Sequence, residues 1–282
     1  MAECISDFYM LNNELISSTS FNDKLFLGSK SLYTVIRVID GVALFWEAHY
    51  ERLIKSSEKA GLSLWLNKSE IKSTIDQLIS KNFFLTGNIK LVFNFENDSN
   101  NKRSFITYYC PHHYPTENLY KNGITTLTLN AERINPNIKL INQNLREQTN
   151  RLIKEKNAYE IILVDRQGNI TEGSRSNIFM IKNNEIITPP VKDVLPGITR
   201  ACVLKICNSL KLKVSEKKIH KSQIKELDGV FISGTSPKVL PVYKIDNFTF
   251  TSENILLHKI MKEYDKMISD YIELNKVRQT NS

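Results

Sequence analysis

Leu195-Pro196-Gly197-Ile198-Thr199-Arg200 is a Pro-Gly turn that opens an amphipathic segment. The pattern predicts a helix from Ile198 to about Leu210. The first backbone N–H groups of a helix lack internal partners, and the helix dipole is positive there. A phosphate therefore fits on the N–H groups of Ile198 and Thr199, with the Thr199 hydroxyl as a further donor. Most Pro-Gly helix starts bind nothing, so the weight of this one rests on the segments around it.

Three other segments bear on it. Ser233-Gly234-Thr235-Ser236-Pro237 follows the apolar run Val230-Phe231-Ile232, where small hydroxyl residues after a buried strand can line an anion site. Thr171-Glu172-Gly173-Ser174-Arg175-Ser176-Asn177 puts an acid at a strand end, followed by small polar residues. Lys139-Leu140-Ile141-Asn142 sets one lysine beside apolar neighbours. Each alone reads as ordinary: a turn, a solvated acid, and a lysine with its stem packed and its head in water.

Upstream, Asp7 to Leu15 reads as a strand pair around Asn12-Asn13, and Leu32 to Ile39 as a strand ending at the hairpin signal Asp40-Gly41, with Val42 to Phe45 returning. Helical spacing covers Glu47 to Ala60, stopped by Gly61, and Ser69 to Ser80. Ile89 to Phe95 and Ser104 to Tyr109 are predicted strands joined by a polar loop. The second half opens with a strand at Ile124 to Leu129 and a helix at Asn144 to Lys156. Strands follow at Tyr159 to Val164, Asn169 to Glu172, Ile178 to Ile181 and Glu185 to Ile187. The reading is α+β with two lobes: a smaller N-terminal domain over 1–110, a Pro-containing linker over 111–122, and a larger C-terminal domain over 123–282.

Composition narrows the class. The 282 residues are 41% hydrophobic and 24% charged, as in ordinary globular chains. The net charge of +8 is spread over scattered lysines with no compact Arg-rich run, which argues against a nucleic-acid partner and is compatible with an anionic cofactor or substrate. The four cysteines form no CxxC pair, so neither a metal site nor a disulfide framework is expected, and a cytoplasmic location fits. No signal peptide and no membrane-spanning run is read.

Taken in order, Glu47-Ala48-His49-Tyr50-Glu51-Arg52-Leu53, Lys139-x-x-Asn142, Thr171-Glu172-Gly173, Ser176-Asn177-Ile178-Phe179, Leu195 to Arg200 and Gly234-Thr235 resemble the class IV aminotransferase family over roughly residues 8 to 270. That group includes branched-chain and D-amino-acid aminotransferases and aminodeoxychorismate lyase. The resemblance implies a two-domain fold-type IV enzyme using pyridoxal 5′-phosphate, usually a homodimer. It implies that Lys139 carries the cofactor as an imine and moves the substrate proton, and that Glu172 holds the ring nitrogen. Arg52, Ile198, Thr199 and Thr235 would bind the phosphate, Leu195 would pack on the ring, and Ser176 and Asn177 would complete the cofactor site.

The chain departs from the family at two places. The usual Gly-Asp-Gly turn is lost in Leu27-Gly28-Ser29-Lys30-Ser31, where Lys30 stands in the place of the Asp, although Tyr33 keeps the aromatic and Thr34 matches the threonine that assists catalysis in the lyase branch. The arginine that often follows the strand at Lys90 to Phe95 is missing, with Arg103, Lys102 or Lys30 as stand-ins. Tyr33, Lys30 and Ser236 are the candidate substrate contacts. Three functions are therefore carried forward. The first is an aminotransferase working between a small amino acid and a 2-oxo acid. The second is a lyase releasing pyruvate from aminodeoxychorismate to give 4-aminobenzoate. The third is a non-catalytic relative.

Overall fold

The computed structural model describes residues 3–22, 29–96 and 103–280, and divides into two compact units. Unit 1 holds 1–113, 138–141 and 268–282; unit 2 holds 114–137 and 142–267. Lys139 thus groups with unit 1, as does the end of the last helix. Leu27 and Gly28 of the altered turn, and Lys102 and Asn97, lie outside the described residues.

Unit 1 is an antiparallel sheet with two helices. Its strands are β1 (Phe8–Leu11), β2 (Glu14–Ser17), β3 (Ser29–Ile39), β4 (Val42–Ala43), β5 (Gly87–Glu96) and β6 (Arg103–Cys110), in the order β2-β1-β6-β5-β3-β4. Both predicted hairpins form: Asn12 and Asn13 sit at φ 50 and 69, Asp40 and Gly41 at φ 51 and 76. Two consecutive left-handed residues match the twist of the flanking strands, which is why Asn-Asn and Asp-Gly close these turns. The return strand β4 is shorter than expected because Phe45 turns left-handed at φ 52 to start α1 (Trp46–Ala60). Helix α2 (Lys68–Asn82) begins with a capping box between Asn67 and Glu70.

Alternation along β3 divides the unit's side chains. Leu32, Ile36 and Val38 join α1 and α2 in one core with Ile71, Ile75, Leu78 and Phe93. Tyr33 and Val35 pack on the opposite face against Tyr108, Val92 and Ile106. Residues 138–141 lie along β3: Leu32 bridges Leu140, the Tyr33 N–H donates to the Lys139 carbonyl at 3.1 Å, and the Ile141 N–H donates to the Ser31 carbonyl. This short extended piece brings Lys139 beside Tyr33.

Unit 2 is built on a mixed sheet. Its strands are β7 (Ile124–Asn130), β8 (Glu160–Val164), β9 (Asn169–Gly173), β10 (Asn177–Lys182), β11 (Glu185–Thr188), β12 (Lys213–Glu216), β13 (Ile219–His220), β14 (Gly229–Gly234), β15 (Lys238–Ile245) and β16 (Phe248–Thr249). The order is β12-β11-β10-β14-β15-β7-β8-β9-β13, with β16 on β15. The β11/β12, β15/β7 and β7/β8 pairs are parallel and the other pairs antiparallel. Helices α3 (Glu117–Asn122), α4 (Gln143–Lys156) and α5 (Ile198–Ser209) join it, and α6 (Ile255–Thr280) closes the chain. The expected linker therefore contains a helix. Asn142 caps α4 by accepting from the Leu145 N–H. Ile162, Ile178, Met180, Val230, Ile232, Leu240 and Val242 form the core.

Candidate active site

In unit 1, α1 and β3 bring three polar side chains together in the core. Arg52 Nη2 donates to Thr34 Oγ1 at 2.8 Å, and Thr34 Oγ1 lies 2.7 Å from His49 Nδ1. His49 and Arg52 are three residues apart and so share a helix face. All three are buried. Burial, with Arg52 and then Lys139 nearby, holds the His49 imidazole well below its ordinary pKa and keeps it neutral. Arginine can only donate, so the Thr34 oxygen accepts from Arg52, and the same hydroxyl shares a second hydrogen bond with His49 Nδ1. Thr34 is fully buried, and its hydroxyl is committed to orienting these two side chains.

Across the strand, Lys139 Nζ lies 4.8 Å from the centroid of the Tyr33 ring. Lys90 Nζ lies 5.5 Å from the same centroid and pairs with Glu3 Oε1 at 2.6 Å, while the Tyr108 hydroxyl donates to Glu3 Oε2 at 2.7 Å. Burial and the neighbouring Glu3 push the Tyr108 pKa upward, so the phenol stays protonated as a donor. A carboxylate thus sits between two donors beside Tyr33. Of the expected stand-ins for the missing arginine, Lys30 is exposed, and Arg103 lies over the Trp65 ring.

In unit 2, Leu195 lies on Glu172, at the end of β9, and Asn177 reaches Leu195. Glu172 is buried, its Oε2 accepts from the Leu195 N–H at 3.1 Å, and its Oε1 lies 3.5 Å from Arg133 Nη1. The Leu195–Gly197 turn is anchored by Asn177, whose Nδ2 donates to the Leu195 carbonyl at 2.9 Å. A Cβ on Gly197 would stand 2.1 Å from Asn177 Oδ1, so only glycine allows the approach. Gly197 caps α5 without a side-chain hydrogen bond to its N-terminal amides. Thr199 Oγ1 lies 3.4 Å from the Tyr264 hydroxyl. Arg200 ties the same turn of helix to the Pro189 carbonyl at 3.1 Å and to Glu216 at 3.0 Å. Ser176 is held on Glu160, and Thr235 and Ser236 form the half-buried turn between β14 and β15.

Several residues with a place in these networks had no role assigned from sequence, among them His49, Arg133, Lys90 and Glu160. His49 stands in the quoted α1 motif, and its spacing from Arg52 was the available signal. Arg133, Lys90 and Glu160 carried no local signal, because their partners are distant in sequence.

The donor set of unit 2 fits a phosphorylated pyridine. The buried acid is already stabilised as a carboxylate by Arg133 and an N–H, as a partner for a protonated ring nitrogen requires. The α5 amides have no side-chain cap, and the buried Ser233 hydroxyl has no partner among the described residues. Both are donors suited to an anion.

Comparison with known proteins agrees with this chemistry. The model of the family "Amino-transferase class IV" matches residues 31–245. A D-alanine aminotransferase of Bacillus licheniformis is 30% identical over 244 residues, covering 83% of this chain and 86% of that protein. Among solved structures, the branched-chain amino acid aminotransferase of Escherichia coli matches with a TM-score of 0.84 at 21% identity, over 94% of this chain and 95% of the other. A Legionella pneumophila protein named as a candidate 4-amino-4-deoxychorismate lyase matches with a TM-score of 0.79 at 24% identity, over 88% and 94%. These structures share the fold of this chain. No helix among the described residues is long and apolar enough to cross a membrane. The chain belongs to the class IV aminotransferase family and is a pyridoxal-phosphate-dependent enzyme of α+β fold.

Proposed function

We propose that the enzyme moves the amino group of a small amino acid, with D-alanine as the first choice of donor, to a 2-oxo acid. The observation that carries this reading is the match at 30% identity to a D-alanine aminotransferase over most of both chains. Lys139 is assigned as the residue that attaches the cofactor and then carries the proton to and from the substrate Cα. Glu172 would hold a proton on the ring nitrogen, with Arg133 Nη1 3.5 Å from its Oε1. The bound cofactor supplies an electron sink for the carbanion that proton removal leaves behind. By the family resemblance, Arg52, Ile198, Thr199 and Thr235 would anchor its phosphate, Leu195 would pack on its ring, and Ser176 and Asn177 would complete the cofactor site.

Tyr33 borders the substrate. Lys90 and Tyr108 hold the Glu3 carboxylate beside Tyr33, and a substrate carboxylate that displaced Glu3 would find in them the donors the missing arginine would have given. Thr34 is less suited to the lyase role, because its hydroxyl is engaged by Arg52 and His49. Aminotransfer is therefore favoured over release of 4-aminobenzoate. A homodimer in the cytoplasm completes the proposal, supported by four buried, unbridged cysteines and by the family resemblance. Sedimentation of the purified holoenzyme as a monomer would remove the dimer.

The test of function is a donor panel. The purified holoenzyme is mixed with single D- and L-amino acids without acceptor, and the cofactor absorbance and 2-oxo acid are followed. D-alanine should yield pyruvate in one stoichiometric turnover. Conversion by L-amino acids alone would refute the D-alanine assignment. In a parallel incubation with aminodeoxychorismate, release of pyruvate and 4-aminobenzoate by an enzyme that converts no amino acid would reverse the choice between branches.

A further inference from the structure

Glu160, the first residue of β8, is a buried carboxylate that makes no ion pair among the described residues. Ionised groups in the interior are costly unless hydrogen bonds replace their water. Here Oε1 accepts from the Ile161 N–H at 2.9 Å and from Ser174 Oγ at 2.6 Å, while Oε2 accepts from Ser176 Oγ at 3.1 Å and the Arg175 N–H at 3.3 Å. Three of the four donors belong to the turn that joins Glu172 to Asn177. A Cβ on Gly173 would stand 2.2 Å from Ser176 Oγ and 3.2 Å from Glu160 Cδ, so the turn is folded directly onto this carboxylate. The two ends of the turn hold the next segment: Glu172 accepts from the Leu195 N–H, and Asn177 donates to the Leu195 carbonyl.

We propose that Glu160 is a positioning residue for the cofactor site. It fixes the 173–176 turn, and through both ends of that turn it sets Glu172 and Leu195 relative to each other and to the N-terminus of α5. A surface acid could not do this, since water would compete for the same donors. Glutamine is not an equivalent. Either orientation of its amide sets an NH2 group against a backbone N–H, that of Ile161 or that of Arg175, and neither amide can reverse its polarity. The inference rests on the pyridoxal-phosphate reading of the site, but its structural half can be read without the cofactor.

The experiment compares wild type, Glu160→Gln and the milder Ser174→Ala in two measurements. Hydrogen exchange of the cofactor-free protein should show the Arg175 and Leu195 amides exchanging at least about tenfold faster in Glu160→Gln, the loss expected for one hydrogen bond to a charged group. Amides of β14 and β15 should be unchanged. Fluorescence titration with pyridoxal phosphate should then show weaker binding by a similar factor. Ser174→Ala should shift both readouts in the same direction by less, and it carries the test if Glu160→Gln does not fold. Unchanged Leu195 exchange, or loss confined to global stability with an unchanged dissociation constant, overturns the proposal. A wild type that fails to bind pyridoxal phosphate while Leu195 exchange still responds would refute the cofactor reading and leave the positioning of Leu195 standing.

Discussion

Acidification should destabilise this protein through His49. The imidazole is buried against Thr34 and Arg52, and its pKa lies well below the ordinary value because of burial and then of the positive charges of Arg52 and Lys139. In the unfolded chain the same imidazole takes a proton near pH 6.5. Between the lowered folded value and about 6.5, the unfolded state therefore binds more protons than the folded one, and stability rises with pH. Above about 7 neither state is protonated and the contribution is complete. Below about 6.5 it is lost at up to about 1.4 kcal/mol per pH unit, the limiting slope for one proton. Replacing His49 by Gln removes that slope while leaving a polar group near Thr34. The assay is denaturant unfolding of wild type and His49→Gln at several pH values from about 8 to about 5, together with an NMR titration of the imidazole resonances. The difference in stability between the two proteins should be flat above about pH 7 and should shift in favour of the variant below about 6.5. The His49 resonance should stay in its neutral position throughout. A His49 midpoint at or above about 6.5, or a difference independent of pH, would rule out a buried, neutral His49 as the source of acid sensitivity.

Other outcomes follow from the same geometry. Glu172→Gln should lower kcat by at least about a hundredfold while leaving the fold intact, since a neutral amide does not hold the ring proton; steady-state kinetics and circular dichroism check this. Gly197→Ala forces a Cβ onto Asn177 Oδ1, and should cost about 1–3 kcal/mol in thermal unfolding while weakening cofactor binding. Thr34→Val leaves Arg52 Nη2 and His49 without their shared hydroxyl. It should weaken pyridoxal-phosphate binding about tenfold or more in a fluorescence titration. Lys90→Met should raise KM for a carboxylate-bearing acceptor more than it lowers kcat, because Lys90 is assigned to substrate binding rather than proton transfer.

Much of the local structure was legible in the sequence. Asn12-Asn13 and Asp40-Gly41 are hairpin residues whose conformational demands can be read directly, and Gly61 ends α1 as its pattern implied. Strand β15 was missed because Pro241 interrupts its apolar run, although it pairs in register with Phe231 of β14. The long helix α6 was not read, since its apolar residues are diluted by charges on every turn. At the site, ordered motifs picked out Lys139, Glu172 and Leu195. Glu160 was invisible because its partners lie on a turn fourteen to sixteen residues away. Thr34 shows the opposite limit: its identity pointed to one branch of the family, yet its chemistry is set by which side chains reach it across the core.

Lys139 is assigned as the residue that holds the cofactor. Borohydride reduction of the purified holoenzyme followed by peptide mass mapping tests this assignment most directly. A single pyridoxyl-modified peptide should carry the mass increment on Lys139 and be lost in Lys139→Ala. Modification of another lysine, or an unchanged adduct in the variant, would contradict the assignment.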